Sequence, residues 1–328
     1  MLRKATVAFA CAAVLITAPQ LKADSPDAPE FFRIVSTSPG GLWHTFGTRL
    51  TDRLERAFPD TSFSHRPGGS DQNHRMVSSG QAQLGFSFTP ISVQAHTGSG
   101  DFDEAWEDAR LIGTFYAAFL HPVVRAGIDV DHISDLQGRV VSPGQREWGT
   151  TAVVTQILEM FDITEESLAE QGGRMEYLGF GDVQSMMQDR RLDAFMYYAS
   201  VPSPLLTRLS ETPGIQLPAY TQEDVDMILE NLEPQGGFSQ AQFPADPYPG
   251  SEGDFPSPVM WSIFVVSKDV PDDVVYEITR ILYEDESLRD FMGGGTSLNI
   301  DYAADGLEDS GIPFHPGAQK YLEEHGAL

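Results

Sequence analysis

Short apolar runs alternate with amphipathic stretches along most of the 328-residue chain, and a loop of small or polar residues separates each run from the stretch after it. Phe31-Phe32-Arg33-Ile34-Val35 reads as a strand, and Leu42, Phe46, Leu50 and Leu54 then recur every fourth residue, the spacing of one apolar helix face. Leu84 to Phe88 repeats the strand pattern, and Leu111 to Val124 holds one or two more strands. Arg139 to Ser142 precedes a Gly-bounded loop and an apolar helix from Ala152 to Phe161. Leu192 to Tyr198 and Val259 to Val266 are further buried strands, followed by helices over Asp272–Tyr283 and Ser287–Gly293. Strand–loop–helix repetition predicts an α/β fold with largely parallel sheets.

Two places read as junctions. Ala126 to Gly138 contains a short turn-linked helix, Ile133 to Gly138, leading into a new sheet. Gly236 to Pro258 is rich in Gly, Pro, Ser and acidic residues, which marks an irregular surface segment. A chain that leaves one lobe and returns to it makes a hinged pair, and ligand sites favour lobe interfaces. We therefore expect one lobe from residues 24–130 plus 259–328, and a second from 131–258.

The first residues set the compartment. Arg3 and Lys4 precede an apolar run, Ala5 to Ala18, broken only by Thr6 and Thr17; Pro19 and the small-residue site Leu21-Lys22-Ala23 follow. That order predicts a signal peptide over residues 1–23, cleaved to leave a periplasmic protein. The run is shorter than the roughly 20 residues that span a bilayer. Cleavage would remove three of the 21 basic residues and no acids, leaving 18 against 48 and a formal charge of −30. It would also remove Cys11, the only cysteine, and with it any disulfide or thiol chemistry. Lys268 and Lys320 would be the only lysines left. Such acidity argues against nucleic acid or an anionic membrane as partner.

Enzyme signatures fail one by one. Gly144 to Thr150 has the glycine spacing of a phosphate loop, but Thr150 stands where the lysine belongs. Gly179-Phe180-Gly181 begins a dinucleotide fingerprint that Gln184 ends. Asp101 and Asp103 start like a calcium loop in which Trp106 takes the glycine position. The eight histidines are scattered. No catalytic residue, metal or cofactor is expected. What remains is a set of loops that each end a strand and open a helix: Ser36 to Gly41, Pro67 to Asp71 with Ser70 or Asp71 as cap, Gly144 to Thr150, and Gly179 to Asp182. Helix N-termini carry unpaired N–H groups and partial positive charge, so they hold anions without a lysine. Four such loops split between two lobes predict a ligand cleft at the carboxyl ends of the strands.

Trp43 and Trp148 stand in or beside these loops, and Tyr197 and Tyr198 end a strand; such rings can wall a small ligand or simply pack in the core. Arg146 is the candidate for a bidentate carboxylate clamp, its alternative being a salt bridge to Glu147.

These residues resemble the TAXI family of substrate-binding proteins, which serve TRAP (tripartite ATP-independent periplasmic) transporters. The matching segments include Ser38-Pro39-Gly40-Gly41-Leu42-Trp43, Gly68 to Asn73, Ser79 to Phe86, His121 to Ala126, Asp135 to Ser142 into Gly149-Thr150, Leu192 to Phe195, and the distinctive Ile312-Pro313-Phe314-His315-Pro316-Gly317-Ala318. The resemblance implies a two-lobed periplasmic-binding-protein-like fold of the two-crossover type II, with a ligand cleft between the lobes that closes by hinge motion. It also implies delivery of a small organic acid or amino acid, such as glutamate or a 2-oxoacid, to TRAP membrane subunits. A ligand sensor facing a signalling receptor is the alternative on the same fold. Gly41 to Trp43, Ser70 with Asn73, Gly149 with Thr150, and Tyr198 carry over as ligand contacts. With the loop residues, the candidate set is Gly41, Leu42, Trp43, Ser70, Asn73, Gln145, Arg146, Trp148, Gly149, Thr150 and Tyr198, in a monomer. The chain departs from the family at Gln145-Arg146-Glu147-Trp148, where a plainer loop is usual, and at Trp43, where the family often has a tyrosine-type ring.

Overall fold

The computed structural model describes residues 28–146, 148–233, 236–292, 297–307 and 310–328. The expected signal peptide, Cys11 and Glu147 lie outside the described residues.

The first wing begins with β1 (Phe31–Val35), α1 (Leu42–Ala57), β2 (Ser62–Arg66), α2 (Ser70–Ser78), β3 (Leu84–Phe88) and α3 (Thr89–Thr97). β1 pairs in parallel with β2 on one side and β3 on the other, so the chain reverses its direction of travel across the sheet at β1. α1 buries Trp43, Phe46, Leu50 and Leu54, its fourth-residue stripe, against this sheet.

β4 (Ala109–Arg125) then leaves the wing as one 17-residue strand where one or two short ones were expected. A single 3-10 turn, Ile133–Leu136, leads into β5 (Val140–Ser142), α4 (Gly149–Met160), α5 (Glu165–Glu170), β6 (Arg174–Met175), α6 (Phe180–Gln188), β7 (Ala194–Ala199), α7 (Pro204–Glu211), β8 (Ile215–Gln216) and α8 (Gln222–Asn231). The second wing repeats the logic of the first: β5 pairs in parallel with β6 and with β7. β9 (Phe238–Gln242) precedes β10 (Pro256–Ser267), which runs back antiparallel to β4 and joins β3. α9 (Asp272–Glu284), α10 (Glu286–Met292) and α11 (Pro316–Glu324) close the chain.

The described strands form one mixed sheet in the order β2-β1-β3-β10-β4-β7-β5-β6. Two parallel wings are thus joined by two long antiparallel strands. β4 pairs with β10 over Ala109–Phe119 and with β7 over Phe119–Val124, so it passes bodily from one wing to the other. The register between them slips after Ser262 and again after Phe264, placing bulges at Phe115 and Ile112 of β4. Phe46, Phe86, Phe115 and Phe264 pack beside these bulges, with centroid separations from 4.4 to 6.1 Å. Among the described residues no helix is long and apolar enough to cross a membrane.

Two local expectations need correcting. The acidic, Pro-rich stretch Gly236 to Pro258 is not merely irregular surface. β9 pairs with β10, and Phe243, Tyr248 and Phe255 are buried. Phe243 stacks on Phe255 at 4.8 Å, because three large rings outweigh the polar residues between them. Second, α2 is preceded by Gly69 in extended conformation, with Ser70 as its first helical residue and no side-chain cap.

Candidate functional site

In an open parallel sheet, a ligand crevice forms where the strand order reverses, because the loops on either side diverge. This chain has two such places, at β1 and at β5, and one cavity of about 70 Å³ lies where their loops meet. The first wing contributes Thr37, Gly40 and Gly41 from the loop after β1, Leu42 and Trp43 from the start of α1, Gly69 and Ser70 from the start of α2, and Phe88 from the end of β3. The second contributes Trp148 and Thr150 around the start of α4, Phe180 from the start of α6, and the run Tyr197–Ser200 with Ser203, Pro204 and Leu205 leading into α7. Tyr116 of β4 completes the wall. At roughly 10–15 Å³ for a water, the space admits several waters or one compact solute.

Five helices, α1, α2, α4, α6 and α7, start at this cavity. None has a side-chain cap at its start: the positions are Gly41, Gly69, Trp148, Gly179 and Ser203. Elsewhere α5, α8 and α11 are capped by Thr164, Thr221 and His315, whereas α3 and α9 also begin without a side-chain cap. The N-cap positions around the cavity thus supply no side-chain oxygen, and the Asp71 carboxyl is the acidic group at the starts of α2 and α4. Asp71, in the first turn of α2, reaches the facing helix: a Cβ placed on Gly149 would lie 2.5 Å from its Oδ1. Burial raises the Asp71 carboxyl above the ordinary range, while the amide groups of Asp71 and Gly149 pull it back. Gly41 meets Phe180 in the same way, 2.9 Å from a Cβ built there to the ring. The two wings thus touch on both sides of the cavity.

Among the described residues, no Asp, Glu, Lys, Arg or His lines it. The polar groups of its floor are neutral and tied down. Trp43 Nε1 donates to Ser262 Oγ at 2.9 Å, and Tyr116 shares that hydroxyl. Burial raises the Tyr116 and Tyr197 phenols, so both stay protonated. Beneath α7, Ser203 N–H donates to the Tyr248 hydroxyl at 2.9 Å, and that oxygen is 2.8 Å from His121 Nε2. His121 Nδ1 faces the Phe119 carbonyl at 2.9 Å, which can only accept. Nδ1 therefore carries the proton, Nε2 accepts, and Tyr248 O–H donates to it. Burial holds His121 neutral by lowering its pKa to about 3.

Of the residues expected from sequence, Gly41, Leu42, Trp43, Ser70, Trp148, Thr150 and Tyr198 are on the cavity wall. Four are not. Asn73 is wholly buried behind it, where Nδ2 donates to Ser36 O at 2.6 Å and to Phe86 O at 2.8 Å, binding the two strand ends together. Gln145 uses its carbonyl to accept from Thr151 Oγ1 at 2.7 Å and shapes the loop. Gly149 packs on Asp71 instead. The expected clamp, Arg146, is exposed outside the cavity: its guanidinium lies 3.5 Å over the Tyr177 ring and 3.5 Å from Glu165. A weakly hydrated planar cation is better satisfied on that ring and carboxylate than in an uncapped apolar cleft. Phe88, Tyr116, Ser203 and Leu205 were missed. Phe88 ends a strand, Tyr116 lies beside a mid-strand bulge, and Ser203 and Leu205 open α7, none of them marked by a glycine loop motif.

Comparison with known proteins places this architecture. Periplasmic binding protein BugD superposes with a TM-score of 0.53 at 10% identity, over 91% of this chain and 98% of that one. The alkanesulfonate-binding protein SsuA from Xanthomonas axonopodis pv. citri, bound to MOPS, gives 0.45 at 13% identity, over 90% and 84%. The arginine-, lysine-, histidine-binding protein ArtJ from Geobacillus stearothermophilus gives 0.46 at 11%, over 80% and 93%. The fold is the α/β fold of periplasmic binding proteins. The model of the NMT1-like family matches residues 34–326, nearly the whole of the 328-residue chain, and the protein belongs to that family.

Proposed function

We propose that this protein is an exported, non-catalytic solute-binding protein that captures a small carboxylate-bearing solute, an organic acid or an amino acid, and hands it to the membrane subunits of a TRAP transporter. The observation that carries the reading is a cavity on which five helix starts converge from both wings, none with a side-chain cap at its N-cap position. Such starts supply N–H groups and positive potential for a carboxylate, and the aromatic wall covers the rest of the solute. The known binding proteins of the same fold support the capture role. TRAP delivery rests on the TAXI-like segments around Gly41, Gly69 and Pro313.

The two lobes are then residues 24–130 with 259–328, and 131–258, with β4 and β10 as the two crossovers. Closure about them would bring Asp71 to Gly149 and Gly41 to Phe180, the contacts seen here. Residues 1–23 serve as the export signal.

Thermal-shift screening of the purified protein, stripped by unfolding and refolding, tests the reading. Amino acids, dicarboxylates, 2-oxoacids and small carboxylic betaines form the panel. A true ligand at a hundredfold over its Kd adds about 2.7 kcal/mol to stability and raises the melting temperature without being consumed. Absence of any shift across the panel, or turnover of the bound compound, would refute it.

A further inference from the structure

Resting on that reading of the cavity, the chemistry of its wall narrows the solute. The apolar surface is built mainly of rings. Trp43 and Phe88 from the first wing have centroids 4.6 Å apart, and Trp148 and Phe180 from the second are 4.5 Å apart, with Tyr197 6.0 Å beyond Phe180. A Cβ built on Gly41 would lie 2.9 Å from the Phe180 ring, and both ring pairs line the same small space. An alkyl tail would be covered equally well by branched aliphatic side chains. Ring faces add something those lack, a negative quadrupole that attracts a cation.

Which cation follows from what the wall omits. A primary ammonium brings three N–H donors and a concentrated charge, and among the described residues no Asp or Glu lines the cavity, only neutral hydroxyl acceptors such as Ser70, Thr150 and Ser200. Buried without a carboxylate partner, that strongly hydrated charge would be costly. A fully methylated ammonium has no N–H to satisfy and presents only polarised methyl groups. Among the described residues no Lys, Arg or His lines the cavity to repel it, and the chain's formal charge of −27 opposes a free anion but not a neutral zwitterion. We propose that the solute is a compact methylated zwitterion, its quaternary ammonium caged between the Trp43–Phe88 and Trp148–Phe180 ring pairs and its carboxylate at the uncapped helix starts.

Calorimetric titration of the stripped protein with three probes tests this: trimethylglycine, its uncharged-head carbon isostere 3,3-dimethylbutanoate, and glycine. Trimethylglycine is expected to bind at least tenfold more tightly than either of the others. If 3,3-dimethylbutanoate binds as well or better, the rings are a plain apolar wall and the cage is overturned. If glutamate or a 2-oxoacid binds while trimethylglycine does not, the cage is overturned and the capture function stands. Silence from every compound of the wider panel overturns both. Trp148→Leu keeps apolar bulk at a half-buried site and is expected to weaken trimethylglycine at least fivefold more than 3,3-dimethylbutanoate. Equal loss for the two would assign Trp148 to packing alone. Phe180→Leu, read in the same way, replaces that variant if its circular dichroism departs from the parent's.

Discussion

Tyr248→Phe removes one oxygen and leaves the ring volume unchanged, yet it should be among the more damaging single-atom changes in the molecule. Tyr248 is 3% exposed, and its hydroxyl accepts from Ser203 N–H and donates to His121 Nε2. Phenylalanine leaves both partners buried, and each stranded group costs about 1–3 kcal/mol. Allowing for some relaxation, the pair amounts to about 2–4 kcal/mol. At about 2 °C per kcal/mol for a chain this long, melting should fall by about 4–8 °C. Ser203 opens α7 and lines the cavity, so affinity for the captured solute should weaken as well. Differential scanning calorimetry measures the first effect and titration calorimetry the second. Tyr276→Phe is the matched control: its hydroxyl donates to Glu324 at the surface, and its loss should shift melting by no more than about 1 °C. If Tyr248→Phe melts within that same margin of the parent, the buried bridge contributes nothing and the reasoning fails.

Acid should destabilise the fold well before its carboxylates are neutralised. Burial lowers His74 to about 4 and His121 to about 3, so both stay neutral in the native state while the unfolded chain protonates them near 6.5. Their stabilisation is intact above pH 6.5 and is lost as the pH falls toward 4, by roughly 3 kcal/mol per pH unit for the two together; urea midpoints that stay flat between pH 7 and 4.5 would contradict this. Arg146→Ala should leave solute affinity within about twofold, because its guanidinium is spent on Tyr177 and on an exposed ion pair of little energetic value; a tenfold loss by titration would return Arg146 to the site.

The elements were readable where one face of a segment is buried and the period is therefore visible. The α1 stripe of Phe46, Leu50 and Leu54, and the fully buried run of β3, appear in the sequence much as they do in the fold. The candidate site was readable in so far as it is made of loops that open helices. Its floor was not, because Tyr116 and Ser262 meet only through the pairing of β4 with β10, across more than a hundred residues and beside a register slip. The direction of Arg146 was not readable for a related reason. A loop's position says that its backbone borders a cleft, but the direction of a long side chain depends on what it can stack on, here Tyr177, more than thirty residues away. Tyr248 lay hidden inside a segment whose composition spoke of surface.

Two glycines of the candidate site were singled out for an incomplete reason. Glycine at the start of a helix suggests a turn that only glycine can make. Gly40, at φ +97°, fits that account. Gly41 does not, since its φ of −81° and ψ of 158° are open to any residue, and Gly149 is likewise absent from the left-handed region. At 149 the opposite wing forbids a side chain, with Asp71 2.5 Å from a Cβ built there; at 41 both wings do, with Thr37 Cγ2 at 2.7 Å and Phe180 at 2.9 Å. Gly149 is therefore a requirement of the approach between wings, and Gly41 of that approach together with its own loop. Any side chain there would hold the wings apart at two points that flank the cavity, letting water onto the helix starts. In water those N–H groups would compete with solvent for a carboxylate, whereas in the closed, ring-walled space they act at low dielectric and hold it more strongly. On this view the absence of charge among the described residues of the cavity wall and the presence of glycine at its rim belong together: each helix start can serve as an anion site only while the other wing seals it.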